Sequence, residues 1–166
     1  MPILMSFDSN SFWQGSGVDY WIDINDDGIV NIKIRTLNFY QSPNLDITEN
    51  YEGSLSSNRL QKLYQLIQYI DSKAAKDLDS AMLILDGGSY HLEVKDQDGN
   101  TKKAIRVSEN FPIMVKEPLD TECKKKLLDV DIEKSIESCK AFNIFLSFIS
   151  KLLPTVHADL IKSYYP

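Results

Sequence analysis

The chain has 166 residues, 43% of them hydrophobic and 25% charged, a balance that supports a packed core and excludes fibrous and low-complexity classes. Against 18 Lys and Arg stand 24 Asp and Glu, for a net charge of −6. This excess of anion disfavours nucleic-acid binding, which draws affinity from cations that displace counterions from phosphate.

The acids are concentrated early: residues 1–50 carry seven acids and two bases, whereas residues 101–166 carry nine and eleven. No apolar run approaches the roughly 18–20 residues that cross a bilayer. Met1–Asn10 lacks the basic and apolar regions of a secretory signal, so a cytoplasmic protein is expected, with Cys123 and Cys139 both reduced. With no repeat and no linker composition, residues 1–166 read as one α+β domain.

In chain order, the first clear element is a hairpin. Tyr20, Ile22 and Ile24 alternate with Asp19, Trp21 and Asp23, and beyond Asp26-Asp27-Gly28 the residues Val30, Ile32 and Ile34 alternate with Asn31, Lys33 and Arg35. Period-2 alternation marks half-buried strands. A three-residue loop with Gly28 in the left-handed region pairs Asn25 with Ile29. Ile24 then faces Val30, Ile22 faces Ile32 and Tyr20 faces Ile34. The opposite face receives Trp21 with Lys33, a cation–π pair, and Asp19 with Arg35. A one-residue slip would set Ile22 beside Asn31, which disfavours that register.

Residues 38–54 read as a loop, with Leu45–Tyr51 the place for a short strand. A helix follows, capped by Ser56 and stapled by Leu55 and Leu60, with Leu63, Tyr64, Ile67 and Ile70 at helical spacing through about Lys73. Ala81–Leu85, Tyr90–Val94 and Thr101–Val107 read as a three-stranded meander. Its expected turns are Gly87-Gly88 and Gly99-Asn100, each with glycine where positive φ is needed. They set Leu85 against Tyr90 and Val94 against Ile105, with Glu93 opposite Arg106. Ile113–Val115 reads as a short extended piece between Pro112 and Pro118, and Asp120 or Thr121 caps a helix to about Val130. A longer helix spans Asp131–Leu153 and stops at Pro154; its stretch Phe142–Ile149 is apolar on more than one side. Thr155–Tyr164 has the length of one last short helix. The expected fold is an antiparallel sheet of about five strands packed against C-terminal helices.

Chemistry-bearing motifs are few. Asp23, Asn25 and Asp27, followed by Gly28 and later Asn31, resemble the calcium loop of EF-hand and dockerin modules. The pattern departs at its last ligand position, occupied here by Ile34, and a strand follows where those modules need a helix. Asp and Gly also suit a hairpin turn for backbone reasons, and the turn is the preferred reading. His91 and Glu93 share one strand face and could exchange a proton, but solvated residues on a sheet face explain them more simply. His157 has less support still. Cys139 lies on the apolar stripe of its helix as a small core residue. Cys123 precedes Lys124-Lys125-Lys126, which reads as a solvated basic face. Gly15-Ser16-Gly17 is too short for a phosphate loop, and no cofactor motif occurs.

Trp21, between Asp19 and Asp23 and with Phe12 and Trp13 nearby in sequence, has two readings. It is either the aromatic centre of a protein-binding patch, steered by the surrounding carboxylates, or part of a second core layer beneath a helix.

The expected order of strands and helices resembles small bacterial immunity proteins. The likeness runs over residues 51–112, through Tyr51-Glu52-Gly53-Ser54-Leu55 at the helix start and Asp86-Gly87-Gly88-Ser89-Tyr90-His91-Leu92-Glu93 in the meander. It implies a cytoplasmic, non-enzymatic protein that neutralises a cognate toxin by stoichiometric binding. The acidic first half would suit a basic toxin domain, engaged by Asp19, Trp21, Asp23, Asp26 and Asp27. No nucleic-acid, membrane or cofactor partner is expected. The alternative is an acidic secretion chaperone or adaptor that dimerises, through a face such as Phe142–Ile149.

Overall fold

The computed structural model describes residues 3–10, 16–81, 88–109, 125 and 131–153. They form β1 (Ile3–Asn10), β2 (Ser16–Asn25), β3 (Ile29–Asn38), β4 (Leu45–Ser54), α1 (Ser57–Gln68), α2 (Ser72–Ala81), β5 (Ser89–Lys95), β6 (Thr101–Ser108) and α3 (Ile132–Ser150). The protein is α+β, as expected, with one six-stranded sheet in the order β4-β3-β2-β1-β5-β6. The chain divides into two compact units, Met1–Asn58 with Asp86–Arg106 and Arg59–Leu85 with Val107–Pro166.

In the first unit, the β2–β3 hairpin has the expected register at every pair: Asp19 with Arg35, Tyr20 with Ile34, Trp21 with Lys33, Ile22 with Ile32 and Ile24 with Val30. The turn closes as the residues require, with Gly28 at φ +83 and its N–H donating to Asn25 O at 3.0 Å. Alternation then sorts the side chains. Met5, Phe7, Tyr20, Ile22, Ile24, Val30, Ile32, Ile34, Tyr90, Leu92 and Val94 are buried, and the intervening positions make the polar face.

Four parts of the sheet and its flanks differ from expectation. Residues 3–10, to which the sequence reading assigns no element, form a central strand antiparallel to both β2 and β5. Phe7 takes register with Ile22 on one side and Leu92 on the other. Its ring sits between Tyr20 and Tyr90, with centroids 6.0 and 5.9 Å away. The region expected to be mostly loop forms β4, a full ten-residue strand paired along β3. The expected first meander strand has no place beside β5, both of whose edges are taken by β1 and β6. Ala81 ends α2 instead, while residues 82–87, with Gly87 of the expected Gly87-Gly88 turn, lie outside the described residues. The β5–β6 turn is centred earlier than expected: Asp96 N donates to Asn100 O at 2.9 Å and Gly99 N to Asp96 O at 3.0 Å. Asp96 imposes this three-residue loop by accepting the N–H groups of Asp98 and Asn100 on its side chain.

In the second unit, the single helix expected through Lys73 is two helices. Leu63, Ile67 and Ile70 are buried as anticipated, but Asp71 starts a new helix. Its carboxylate accepts from Ala74 N at 2.7 Å, as an N-cap does. α2 then buries Ala74, Ala75 and Leu78. Asp131 caps α3 in the same way, accepting from Lys134 N at 3.0 Å. α3 buries Cys139, Phe142, Phe145, Leu146 and Ile149 as the apolar stripe requires, and also Ser138 and Asn143. The Ser138 hydroxyl has a partner, accepting from Asp71 N at 3.0 Å. Lys134 Nζ lies 3.1 Å from the Asp71 carboxylate, so a short polar cluster ties α2 to α3. No helix among the described residues is long and apolar enough to cross a membrane. The expected Ile113–Val115 segment and the helices over 120–130 and 155–164 fall mostly or wholly outside the described residues.

Candidate functional site

Sheet pairing assembles two rows of side chains across the polar face. The first runs Asn50, Lys33, Trp21, Asp8 and His91, one residue each from β4, β3, β2, β1 and β5. The second, one step along, runs Glu52, Asn31, Asp23, Ser6 and Glu93. Neighbours in a row come within roughly 4.5–5.5 Å between Cβ atoms, so each row is a continuous polar ladder.

Members of both rows line a groove of about 420 Å³, bounded by Ser6, Asp8, Trp21, Asp23, Asn31, Lys33 and Asn50 with Phe7, Ile32 and Tyr51. Its volume falls in the ~300–1,000 Å³ span of ligand sites. Trp21 is half-buried and lines this groove, and Lys33 Nζ sits 5.0 Å from the indole centroid. The expected cation–π pair therefore forms; at a partly exposed site it contributes about 0.5–1 kcal/mol. Asp23 accepts a 2.6 Å hydrogen bond from Ser6 Oγ, which orients its carboxylate without covering it. Asp8 Oδ2 lies 3.2 Å from His91 Nδ1, with both side chains about a third exposed. Two carboxylates and one ammonium thus line the same groove as the indole.

No family model, curated protein or solved structure matches this chain.

Trp21 and Asp23 stand in the groove together; the remaining expected binding residues do not join them. Asp19 retains only 4% exposure, and so is withdrawn from the surface. Its cross-strand partner Arg35 makes a two-point ion pair with Asp46, Nε and Nη2 lying 3.0 and 2.9 Å from the carboxylate. That two-point contact holds the Asp46 carboxyl below its ordinary range. Asp26 and Asp27 are exposed at the hairpin tip, where Asp27 Oδ1 accepts from Ile29 N at 3.2 Å. In the loop that resembles a calcium site, Asp23 and Asn31 are cross-strand partners, and a strand follows Gly28 where those modules need a helix.

His91 and Glu93, for which solvated positions on a sheet face are the preferred reading, each have a neighbour of their own. His91 turns to Asp8, and Glu93 accepts from the Thr101 hydroxyl with Lys95 Nζ 4.0 Å away. Neither residue lines the groove. Cys139 is fully buried, and burial pushes its thiol up to about 12, consistent with a core residue. Phe12, Trp13, Gly15, Cys123, Lys124, Lys126 and His157 lie outside the described residues.

Asp8, Ser6 and Asn50 are the site residues that sequence reading misses. Met5 and Phe7 alternating with Ser6 and Asp8 is a detectable strand signal, though a short one. Nothing local shows that this strand would lie beside Trp21.

Proposed function

We propose that the protein acts by stoichiometric binding, as a toxin-neutralising immunity protein whose cognate partner presents basic side chains. The observation that carries this reading is the groove on the polar sheet face, where a half-buried indole lies among the Asp8 and Asp23 carboxylates. An indole supplies a large, rigid area for desolvation, and flanking carboxylates favour and orient a cation. Lys33 already occupies a cation position over the ring, and a partner Arg or Lys would take it over. The acidic bias of residues 1–50 adds long-range attraction for a basic partner.

The test is a parallel pull-down from the source cells with the wild-type chain, Trp21→Ala and Asp23→Asn, followed by co-expression of the recovered partner. A one-to-one complex is expected, weakened about 30-fold or more by Trp21→Ala, as for a central aromatic anchor, and loosened by added salt. Co-expression of the wild-type chain is expected to relieve the partner's toxicity. Equal recovery by all three proteins, or a recovered partner that is harmless to cells, overturns the proposal.

A further inference from the structure

We propose that the edge of β4 left unpaired among the described residues is a second docking element, which takes up an extended, basic strand of a partner protein by β-addition. The proposal rests on the reading that this protein works by binding, and it concerns the outer backbone edge of β4, whose residue Asn50 also lines the Trp21 groove.

β4 closes the sheet on one side and pairs only with β3 among the described residues. It is ten residues long, and most of it is exposed. The direction of its backbone groups follows from one hydrogen bond. Leu55 N donates to Gly28 O at 2.8 Å, continuing the register in which Ser54 faces Ile29. Backbone groups of successive residues in an antiparallel strand point to opposite sides. Hence the N–H and C=O groups of residues 45, 47, 49, 51 and 53 serve β3. Those of Asp46, Thr48, Asn50, Glu52 and Ser54 point to the open edge, as a ladder ready for another strand.

Open edges are normally blunted by lysine, proline or a covering contact. β6, at the opposite side of the sheet, carries Lys102, Lys103 and Arg106. Its last residue is also tied down, since Ser108 N and Oγ both donate to Asp79 Oδ1, at 3.0 and 2.6 Å. β4 has no Lys, Arg or Pro. Its charges are Asp46, Glu49 and Glu52. Arg35 holds Asp46 and the Tyr51 hydroxyl donates to Glu49, while the sign along the strand stays negative. Charge complementarity therefore selects a basic incoming strand. Pairing of β4 with β4 from a second copy would line acids along both sides of one seam, which like-charge repulsion opposes. Pairing of β4 with β6 of another copy would satisfy charge but propagate without closing, against a net −6 on each chain. Phe39, Tyr40 and Ile47, exposed by 51, 73 and 48%, stand at one end of the same hairpin and offer apolar area to an arriving segment.

The experiment is amide hydrogen exchange on the isotope-labelled protein with a synthetic peptide alternating lysine and valine over about eight residues, a typical strand length. Controls are a glutamate–valine peptide and a lysine–valine peptide interrupted by proline. At peptide concentrations about ten times the dissociation constant, the Thr48, Asn50 and Glu52 amides should exchange on the order of tenfold more slowly. Neither control should protect them. Thr48→Pro removes an edge-facing N–H while leaving the β3 ladder, and proline is tolerated at such positions; it should abolish protection. Glu52→Lys, which does not alter the backbone, should weaken the effect independently. Equal protection by the acidic or proline-interrupted peptide, or no protection by any peptide, overturns the proposal. So does sedimentation showing that the free chain self-associates and that Thr48→Pro dissociates it, because a second copy would then occupy the edge. If the Trp21 variants release the natural partner while Thr48→Pro binds it normally, the groove reading stands and this one falls.

Discussion

Gly28 illustrates how much a single backbone position decides. It holds φ +83, and a Cβ placed there would lie 2.7 Å from Leu55 O, the carbonyl one residue past the end of β4. Gly28→Ala therefore combines left-handed strain with a clash against backbone, and should cost about 1–3 kcal/mol in chemical denaturation. Gly53→Ala meets nothing within 4 Å and has no positive φ, so its denaturation midpoint should stay close to that of the wild type. An equal loss in both variants would refute the distinction. Gly28 was legible because Asp-Asp-Gly between two alternating runs admits one turn geometry. Trp21 was legible as an aromatic on the polar face, and its choice between surface and covered core was not. That choice depended on which strands lie beside it, and β1 places Asp8 there. Asp19, two residues earlier on the same face, was buried with no local sign of it.

At the scale of elements, Asp71 makes the α1–α2 break. Its carboxyl is held below its ordinary value of 3.8, chiefly by the Ala74 N–H donating to it and further by Lys134. Because the folded value is the lower one, this contribution is complete above the unfolded value. It is lost as pH falls below 3.8 and through the folded value. Asp71→Ala should cost about 1 kcal/mol at neutral pH through loss of the cap. Asp71→Asn keeps a capping oxygen and loses the charge, so its deficit against wild type should shrink as urea midpoints are taken from pH 7 down to pH 3. A deficit that grows on acidification would contradict the assigned role. The break was readable in principle, since Asp followed by Ser-Lys-Ala is a start signal. It was masked by Ile70, which continues the spacing of Leu63 and Ile67. β4 was obscured for the opposite reason. An edge strand buries little, so Leu45–Ser54 lacks the alternation that marked β2 and β3.

For the whole molecule, the decisive feature is that a strand from the start of the chain lies at the centre of the sheet. β1 fills the space between β2 and β5, and Phe7 joins them through Tyr20 and Tyr90. With only 1% of its surface exposed, Phe7→Ala should destabilise the protein by about 3–5 kcal/mol, measured by urea denaturation. A loss below about 1 kcal/mol would show that β1 does not carry the sheet. The sequence alone determined what depends on neighbours in the chain: the α+β class, the β2–β3 register, the apolar stripe of α3 and the acidic bias. These follow from alternation, helical spacing and turn chemistry, all local physics. Only the tertiary structure decided that β1 takes the place beside β5 expected for Ala81–Leu85, that Asp19 is buried, and that Asp8, Trp21 and Asp23 share one groove. Strand order is chosen by which distant faces bury the most apolar surface together, and no short window of sequence contains that comparison.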